Sequence, residues 1–468
     1  MCNRARSASI HTLDDDSLLH VFYLCRPFLG DDYEFSEWRY NGHWWYTLAH
    51  VCRRWRNIIL GSASYLGLSL LCTYGTPVAD MLADSLPFPL DVGYFSKDLN
   101  LTTEDEEGII LALEQRDRVR RVRFGHIVMQ KLFMAMDGEY PILEYLYISR
   151  PNEDNHTILR FPETLRAPQL RYLSLGGFAL PIESPLLTTA VSLVALHLVM
   201  VHPSTYFRPN TLIQWISLMP HLETLIIIFK SPIPNRDVEM QLTHAPNIAP
   251  ITLPNLHHIS FCGVSSYLEG LVHRITTPRL EKLQIEFFNQ LSFSVPHLLQ
   301  FIGAAENLRF GIAVLTFSDK TVDAGVSPHG ELKVYTLTIR VICCHLDWQA
   351  SSMAQISKSL SQMFFSVEYL ILQHDVHNKS SEGNNEVDRI EWRKLLRSFS
   401  NVKTLRVEEG LFNDLSRCLE LEDGELSFEL LPELQELIYY GSSDTGGAFT
   451  SFIDARRNAD RPVTLVRW

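Results

Sequence analysis

The sequence predicts an α/β chain in which a small helical unit precedes a long run of strand–helix repeats. Three observations predict it. A six-residue apolar rule returns ten times from residue 119 onward, stretches of helical period separate the copies, and two amphipathic stripes lie before residue 75. The rule is an apolar residue, another three later, and another two after that. It reads "VRRVRF" at 119–124, "LEYLYI" at 143–148, "LRYLSL" at 170–175, "LVALHL" at 193–198 and "LETLII" at 222–227. It returns as "LHHISF" at 256–261, "LEKLQI" at 280–285, "VEYLIL" at 367–372, "VKTLRV" at 402–407 and "LQELIY" at 434–439. A proline often stands two residues before the first apolar position, at Pro141, Pro168, Pro220, Pro254, Pro278 and Pro432.

The second half of each copy alternates, so its fourth and sixth residues face one way and its fifth the other, as a strand requires. Between copies lie "TLIQWISLM", "YLEGLVHRI", "VPHLLQFIGAA", "AQISKSLSQMFF" and "IEWRKLLRSF", whose apolar residues recur with helical spacing. Strand then helix, repeated, makes right-handed parallel crossovers. The period is near that of leucine-rich repeats. The expectation is an irregular leucine-rich-repeat-like solenoid over 119–468, with a concave parallel β-sheet and outer helices. Between 308 and 367 the register blurs, and "AVLTF" and "LKVYTLTIRV" are the expected strands there. The polar stretch "HDVHNKSSEGNNEVDR" at 374–389 is expected to be a loop.

The N-terminal stripes are "LDDDSLLHVFYLC" at 13–25 and "LAHVCRRWRNII" at 48–59. In the first, Leu13, Leu18, Leu19, Phe22 and Cys25 share a helical face, and Asp14, Asp15 and Asp16 suit its N-terminal turn. In the second, Leu48, Val51, Cys52, Trp55, Ile58 and Ile59 make the apolar face of one expected helix, with Arg53, Arg54 and Arg56 largely in solvent. Read together, Leu13, Asp15, Leu18, Leu19, Val21 and Phe22, then Leu48, Val51, Cys52, Arg53, Trp55 and Arg56, resemble the F-box. The family's Leu-Pro opening is Leu13–Asp14 here, and an insertion at 26–45 separates the two segments. Its Phe28, Tyr33, Phe35, Trp38 and Trp44 point to a packed loop. This long-insert form resembles F-box-like proteins of fungi.

The resemblance implies a function. The F-box face docks on a Skp-type adaptor of a cullin-based ubiquitin ligase, through Leu13, Leu18, Leu19, Val21, Phe22, Leu48, Val51 and Cys52. Trp55 and Ile58 would hold the helices to one another. The chain is then expected to divide into a flexible N-terminus at 1–9, an F-box-like domain at 10–75, a connecting segment at 76–118 and the repeats at 119–468. The alternative is an interaction scaffold that joins no ligase.

Bulk properties limit other functions. The 468 residues carry a formal charge of −13, which argues against non-specific nucleic-acid binding. The longest apolar run, 192–201, is too short to span a bilayer, so no membrane partner is expected. Eight cysteines without a C-x-x-C pair, and no secretory signal, place the expected site of action in the cytoplasm or nucleus. No phosphate-loop, dinucleotide, nucleophile-elbow or zinc-protease motif occurs, so neither a cofactor nor enzymatic activity is expected. "HDVH" at 374–377 lacks a third fixed ligand, and "YGSSDTGG" at 440–447 lacks the lysine of a phosphate loop; neither is expected to bind a metal or phosphate.

Strand alternation sends a second set of side chains to the concave face. They are Arg121, Arg123, Tyr145, Tyr147, Tyr172, His197, Ile226, Ile228, His258, Arg406 and Tyr440, and an unidentified target protein is their expected partner. Ile226 and Ile228 are expected to stand exposed there. The run "QRDRVRRVRFGH" at 115–126 reads first as a solvated charge run paired with Glu104, Glu106 and Glu107. Beside Tyr145 and Tyr147, its Arg121 and Arg123 also suit an acidic or phosphorylated peptide.

Overall fold

The computed structural model describes residues 10–27, 44–84, 87–95, 102–125, 130–149, 161–178, 180, 183–201, 206–230, 249–288, 290, 292–308, 310–318, 320–328, 335–343, 346–375, 385–420, 429–440 and 449–467. The N-terminus 1–9, most of the insertion, the second half of "HDVH" and nearly all of "YGSSDTGG" lie outside the described residues. The chain forms two compact units, Met1–Ser192 and Leu193–Trp468. The division falls inside the repeat run. Both units are mixed α/β, built of strands in a sheet with helices packed on one of its faces.

The first unit opens with helices α1 (Asp15–Leu24), α2 (Trp44–Ala49), α3 (Arg53–Gly61) and α4 (Ala63–Leu66). Then come β1 (Leu70–Cys72), α5 (Val78–Asp84), β2 (Leu90–Phe95), α6 (Thr103–Glu114), β3 (Val119–Gly125), α7 (Gln130–Ala135), β4 (Tyr145–Ser149), β5 (Tyr172–Gly176) and α8 (Pro185–Thr189). The strands β1 to β5 pair in chain order, all parallel. The sheet therefore begins at Leu70, well before the first copy of the apolar rule. The segment read as a connection carries β2 and α6, the latter started by a reciprocal cap between Thr102 and Asp105.

The stretch 48–59 is two helices rather than one. Cys52 is extended, and its Sγ accepts from the Trp55 backbone N–H at 3.5 Å to start α3. Arg56 Nε donates to the Ala49 carbonyl at 3.1 Å, which satisfies the end of α2. Apolar spacing continues through the corner, so periodicity alone could not reveal it.

The second unit contains β6 (Ala195–Val201), α9 (Pro209–Ser217), β7 (Thr224–Phe229), β8 (Ile251–Thr252), β9 (His258–Gly263), α10 (Ser265–Val272), β10 (Ile275–Thr276), β11 (Lys282–Phe287) and α11 (Pro296–Gly303). It continues through β12 (Ile312–Ser318), β13 (Thr321–Ser327), β14 (Leu337–Ile342), α12 (Leu346–Ser359), α13 (Ser361–Phe364), β15 (Tyr369–Asp375) and α14 (Asn385–Arg397). It ends with β16 (Thr404–Glu408), α15 (Phe412–Leu419), β17 (Glu436–Tyr440), α16 (Thr450–Asn458) and β18 (Thr464–Arg467). Its sheet runs β6-β7-β9-β11-β14-β13-β12-β15-β16-β17-β18, with β8 and β10 as a separate parallel pair.

The blurred region is thus an antiparallel meander set into a parallel sheet. Strand β13, unforeseen from the sequence, pairs antiparallel with both β12 and β14. Strand β14 lies parallel to β11, and β12 lies parallel to β15, so the three strands stand in reverse chain order. In the meander Val322, Ala324 and Val326 alternate toward the core, and the Thr321 N–H at the start of β13 donates to the Ser318 hydroxyl at the end of β12 at 3.1 Å.

The apolar rule has a direct structural meaning. All thirty of its side chains are buried, Tyr439 at 8% being the most exposed. In eight of the ten copies the first residue closes a turn by donating to the carbonyl three residues earlier, as Leu143 does to Tyr140, Leu170 to Ala167 and Leu280 to Thr277. The recurring proline is the second residue of that turn, where its fixed φ is preorganised. Helices cover the face bearing the rule, seen in the ring contacts Phe229–Tyr267, Phe317–Trp392 and Phe412–Tyr439.

Candidate functional site

Two surfaces carry the expected site residues. On the N-terminal helices, Leu18 and Phe22 are 0% and 1% exposed, and Phe22 meets Trp55 edge-on with ring centroids 4.9 Å apart. These two are therefore packed inside the helical unit rather than displayed for an adaptor. Leu19, Leu48, Cys52, Trp55 and Ile58 are half-buried, while Ile59 is the fully buried residue of α3. Exposed on the outside are Leu13, Val21, Leu24 and Val51, the last two at 69% and 56%.

Polar side chains fix this helical corner. Asp14 accepts from the Ser17 N–H at 2.7 Å as the cap of α1, and the hydrogen bonds from Ser17 hold its carboxyl below the usual range. Asp15 pairs with Arg54, which also donates to the Leu13 carbonyl at 2.6 Å. Asp15 and Arg54 thus tie α1 to α3, while Asp14 caps α1 itself. Trp45 Nε1 donates to the Ser69 carbonyl at 3.3 Å, which anchors α2 beside the first strand.

The second surface is the face of each sheet that the helices leave open. In the first unit, strand register aligns Asp91, Arg121, Tyr145 and Tyr172 in one row, and Gly93, Arg123, Tyr147 and Ser174 in the next. Tyr145 and Tyr172 stack at 4.3 Å with ring planes 5° apart. The Arg123 guanidinium lies 5.5 Å from the Tyr147 ring centre, a cation–π arrangement. Asp91 is buried and takes a hydrogen bond from Ser69 at 2.7 Å and an ion pair from Arg120 at 3.6 Å.

No protein-family model matches the chain, and no curated protein matches it. Among solved structures, it is similar to the leucine-rich repeat-containing protein LegL7 from Legionella pneumophila. That similarity has 10% identity and a TM-score of 0.26, over 82% of this chain and 97% of that one.

In the second unit, His197, Ile226, Ser260 and Gln284 share one row. His258 reaches Gln284 at 3.2 Å. Ile226 and Ile228, expected to stand exposed, are half-buried by their strand neighbours, as are His197, His258 and Arg406. Tyr440 is exposed, and Ile438 beside Arg406 is buried.

The meander adds groups that the sequence reading missed. Arg340 pairs with Asp323 at 2.6 Å and Glu286 at 3.2 Å across three neighbouring strands, and these carboxylates hold the guanidinium firmly charged. Ile312, Val314 and Ile371 form a small buried cluster with Tyr335 and Tyr369 against it, and the Tyr335 ring sits where a Cβ on Gly325 would be. Period-two alternation in "TVDAGVS" is the signal that marks the missing strand. Among the described residues no group of three His, Cys, Asp or Glu side chains could hold a metal, and no helix is long and apolar enough to cross a membrane.

Proposed function

We propose that the chain is the substrate-receptor subunit of an SCF-type ubiquitin ligase in the cytoplasm or nucleus. Its N-terminal helices dock on a Skp-type adaptor, the open sheet faces hold a target protein, and the ligase supplies the chemistry. The observation that carries this reading is the exposure of Leu13, Val21, Leu24 and Val51 on and beside helices whose core is already filled by Leu18, Phe22 and Ile59. Covering the apolar area still exposed contributes about 25 cal/mol per Å², so an adaptor that buries these side chains gains free energy in proportion to that area. Holding a target beside the ligase raises the effective concentration of its lysines.

The test is co-purification of the full chain with a Skp-type adaptor, beside the triple variant Val21→Asp, Leu24→Asp, Val51→Asp. The expected result is an adaptor complex lost in the variant while the melting temperature is kept. An adaptor that does not bind the wild-type chain, or binds both equally, overturns it. A scaffold that joins no ligase is the second reading. It is favoured by Asp14, a charged helix cap where the F-box opening has proline.

A further inference from the structure

We infer that the open face of the first unit binds an extended acidic peptide through Arg121 and Arg123, with the carboxylates of the peptide at alternate positions. The inference rests on reading the open face as the partner-binding surface and is independent of adaptor docking. Arg121 and Arg123 are two residues apart on β3 and lie on the same side. Same-side residues on a strand repeat every 6.5–7 Å or so, and the carboxylates of an Asp/Glu-x-Asp/Glu segment in extended form repeat at the same distance. Each guanidinium can then take one carboxylate in a two-point hydrogen bond.

Charge on this face favours an acidic partner. Its one acidic strand residue among those described, Asp91, is buried and engaged by Ser69 and Arg120. Glu106, expected to neutralise the arginine run, pairs instead with Lys131 at 3.3 Å. Among the described residues Arg121 makes no ion pair, in a chain whose net charge is −13. Strand register favours an extended one. Gly125, Ser149 and Gly176 continue the face beyond Arg123 in one register row, Ser149 half-buried and both glycines buried. The Tyr145–Tyr172 stack beside Arg121 offers a flat wall for an apolar side chain of the same peptide.

The test titrates the full chain into fluorescent synthetic peptides carrying Glu-x-Glu, Glu-x-x-Glu or Gln-x-Gln in one neutral sequence. The expected result is binding of Glu-x-Glu at least about tenfold tighter than either control, weakened by added salt. The double variant Arg121→Gln, Arg123→Gln should lose that preference, and Arg121→Lys, Arg123→Lys should recover only part of it, because lysine keeps the charge without the fork. Equal binding of the three peptides, or binding unchanged in the glutamine variant, overturns the inference. So does arginine-dependent binding of anionic phospholipid vesicles or single-stranded DNA that matches that of Glu-x-Glu. A captured protein partner that is lost on Tyr172→Glu and retained on Arg121→Gln, Arg123→Gln refutes the acidic peptide alone and leaves the binding face standing.

Discussion

Cys72 and Cys418 are fully buried, and burial pushes both thiols up to about 12. A thiol attacks only as its thiolate, so neither should react in the folded chain. Cys25 is exposed. Brief alkylation at neutral pH followed by peptide mapping should label Cys25 and leave Cys72 and Cys418 unlabelled until denaturant is added. Asp105 behaves differently. Its partial burial raises the carboxyl, but the Gly75 N–H at 2.6 Å and the Thr102 hydroxyl at 2.7 Å overcome this and hold it below the ordinary value. A depressed folded-state value stabilises the fold above the unfolded carboxylate range near ~4 and loses that contribution as pH falls through it. The melting temperatures of wild type and Asp105→Asn should therefore differ near neutrality and converge in acid. A gap that persists unchanged below that range would show that the ionised carboxylate is not what matters.

At the scale of elements, the helices support one another as well as the sheet. Glu269 on α10 accepts from the N–H groups of His297 and Leu298 at 2.9 Å each, capping α11 from outside. Glu269→Ala should cost about 1–2 kcal/mol in denaturant unfolding, and Glu269→Gln less. In the N-terminal unit, Phe22→Ala should cost about 3–5 kcal/mol by opening a cavity against Trp55, whereas Val51→Ala at the exposed corner should stay within about 0.5 kcal/mol. How far the sequence reveals these elements depends on what each one buries. Strands obeying the six-residue rule are legible because three buried positions per copy repeat with fixed spacing. Strand β2 alternates through Leu90, Val92 and Tyr94 but is hidden because Pro87 stands where the rule has its first apolar residue, and β13 because alanine stands at its central inward position, Ala324. The same limit affects the sites. Alternation places Arg121, Tyr145, Tyr172 and Ile226 on the open face, but one helical stripe contains both inward Leu18 and Phe22 and outward Leu13 and Cys25, and period alone cannot divide a core from an exposed surface.

Within each unit, consecutive repeats are also joined by their main chains just before the strands begin. Arg171 N–H donates to Glu144 O and Glu144 N–H to Arg120 O, both at 2.8 Å. In the second unit the same chain of donors runs from Glu281 through His257 and Glu223 to Val194, and again from Gln435 through Lys403 and Glu368 to Gly311. Backbone groups thus join each repeat to the next, and at two of these steps the side chains meet as well, His257 with Glu223 and Lys403 with Glu368. That leaves the second unit with two uninterrupted parallel stretches, β6 to β11 and β12 to β18, meeting through the reversed meander.

The reversal sets an order of events in time. A repeat array of ordinary polarity can lengthen one strand after another, each new strand finding its neighbour already in place. Strand β12 has no such neighbour when it leaves the chain's earlier repeats, because the position beside β11 belongs to β14, and its other partner, β15, is still to come. Growth from the first stretch must pause until the hairpin turns back. The later stretch, by contrast, can begin independently on β12 and β15. In pulse-labelled hydrogen exchange during refolding, the amides of β12 should gain protection with those of β15 and β16, while β14 closes onto β11 in a separate and later phase. Simultaneous protection of β11 and β12 ahead of β14 would rule that sequence out. A parallel sheet with one inverted segment is, in kinetic terms, two seeds and a weld.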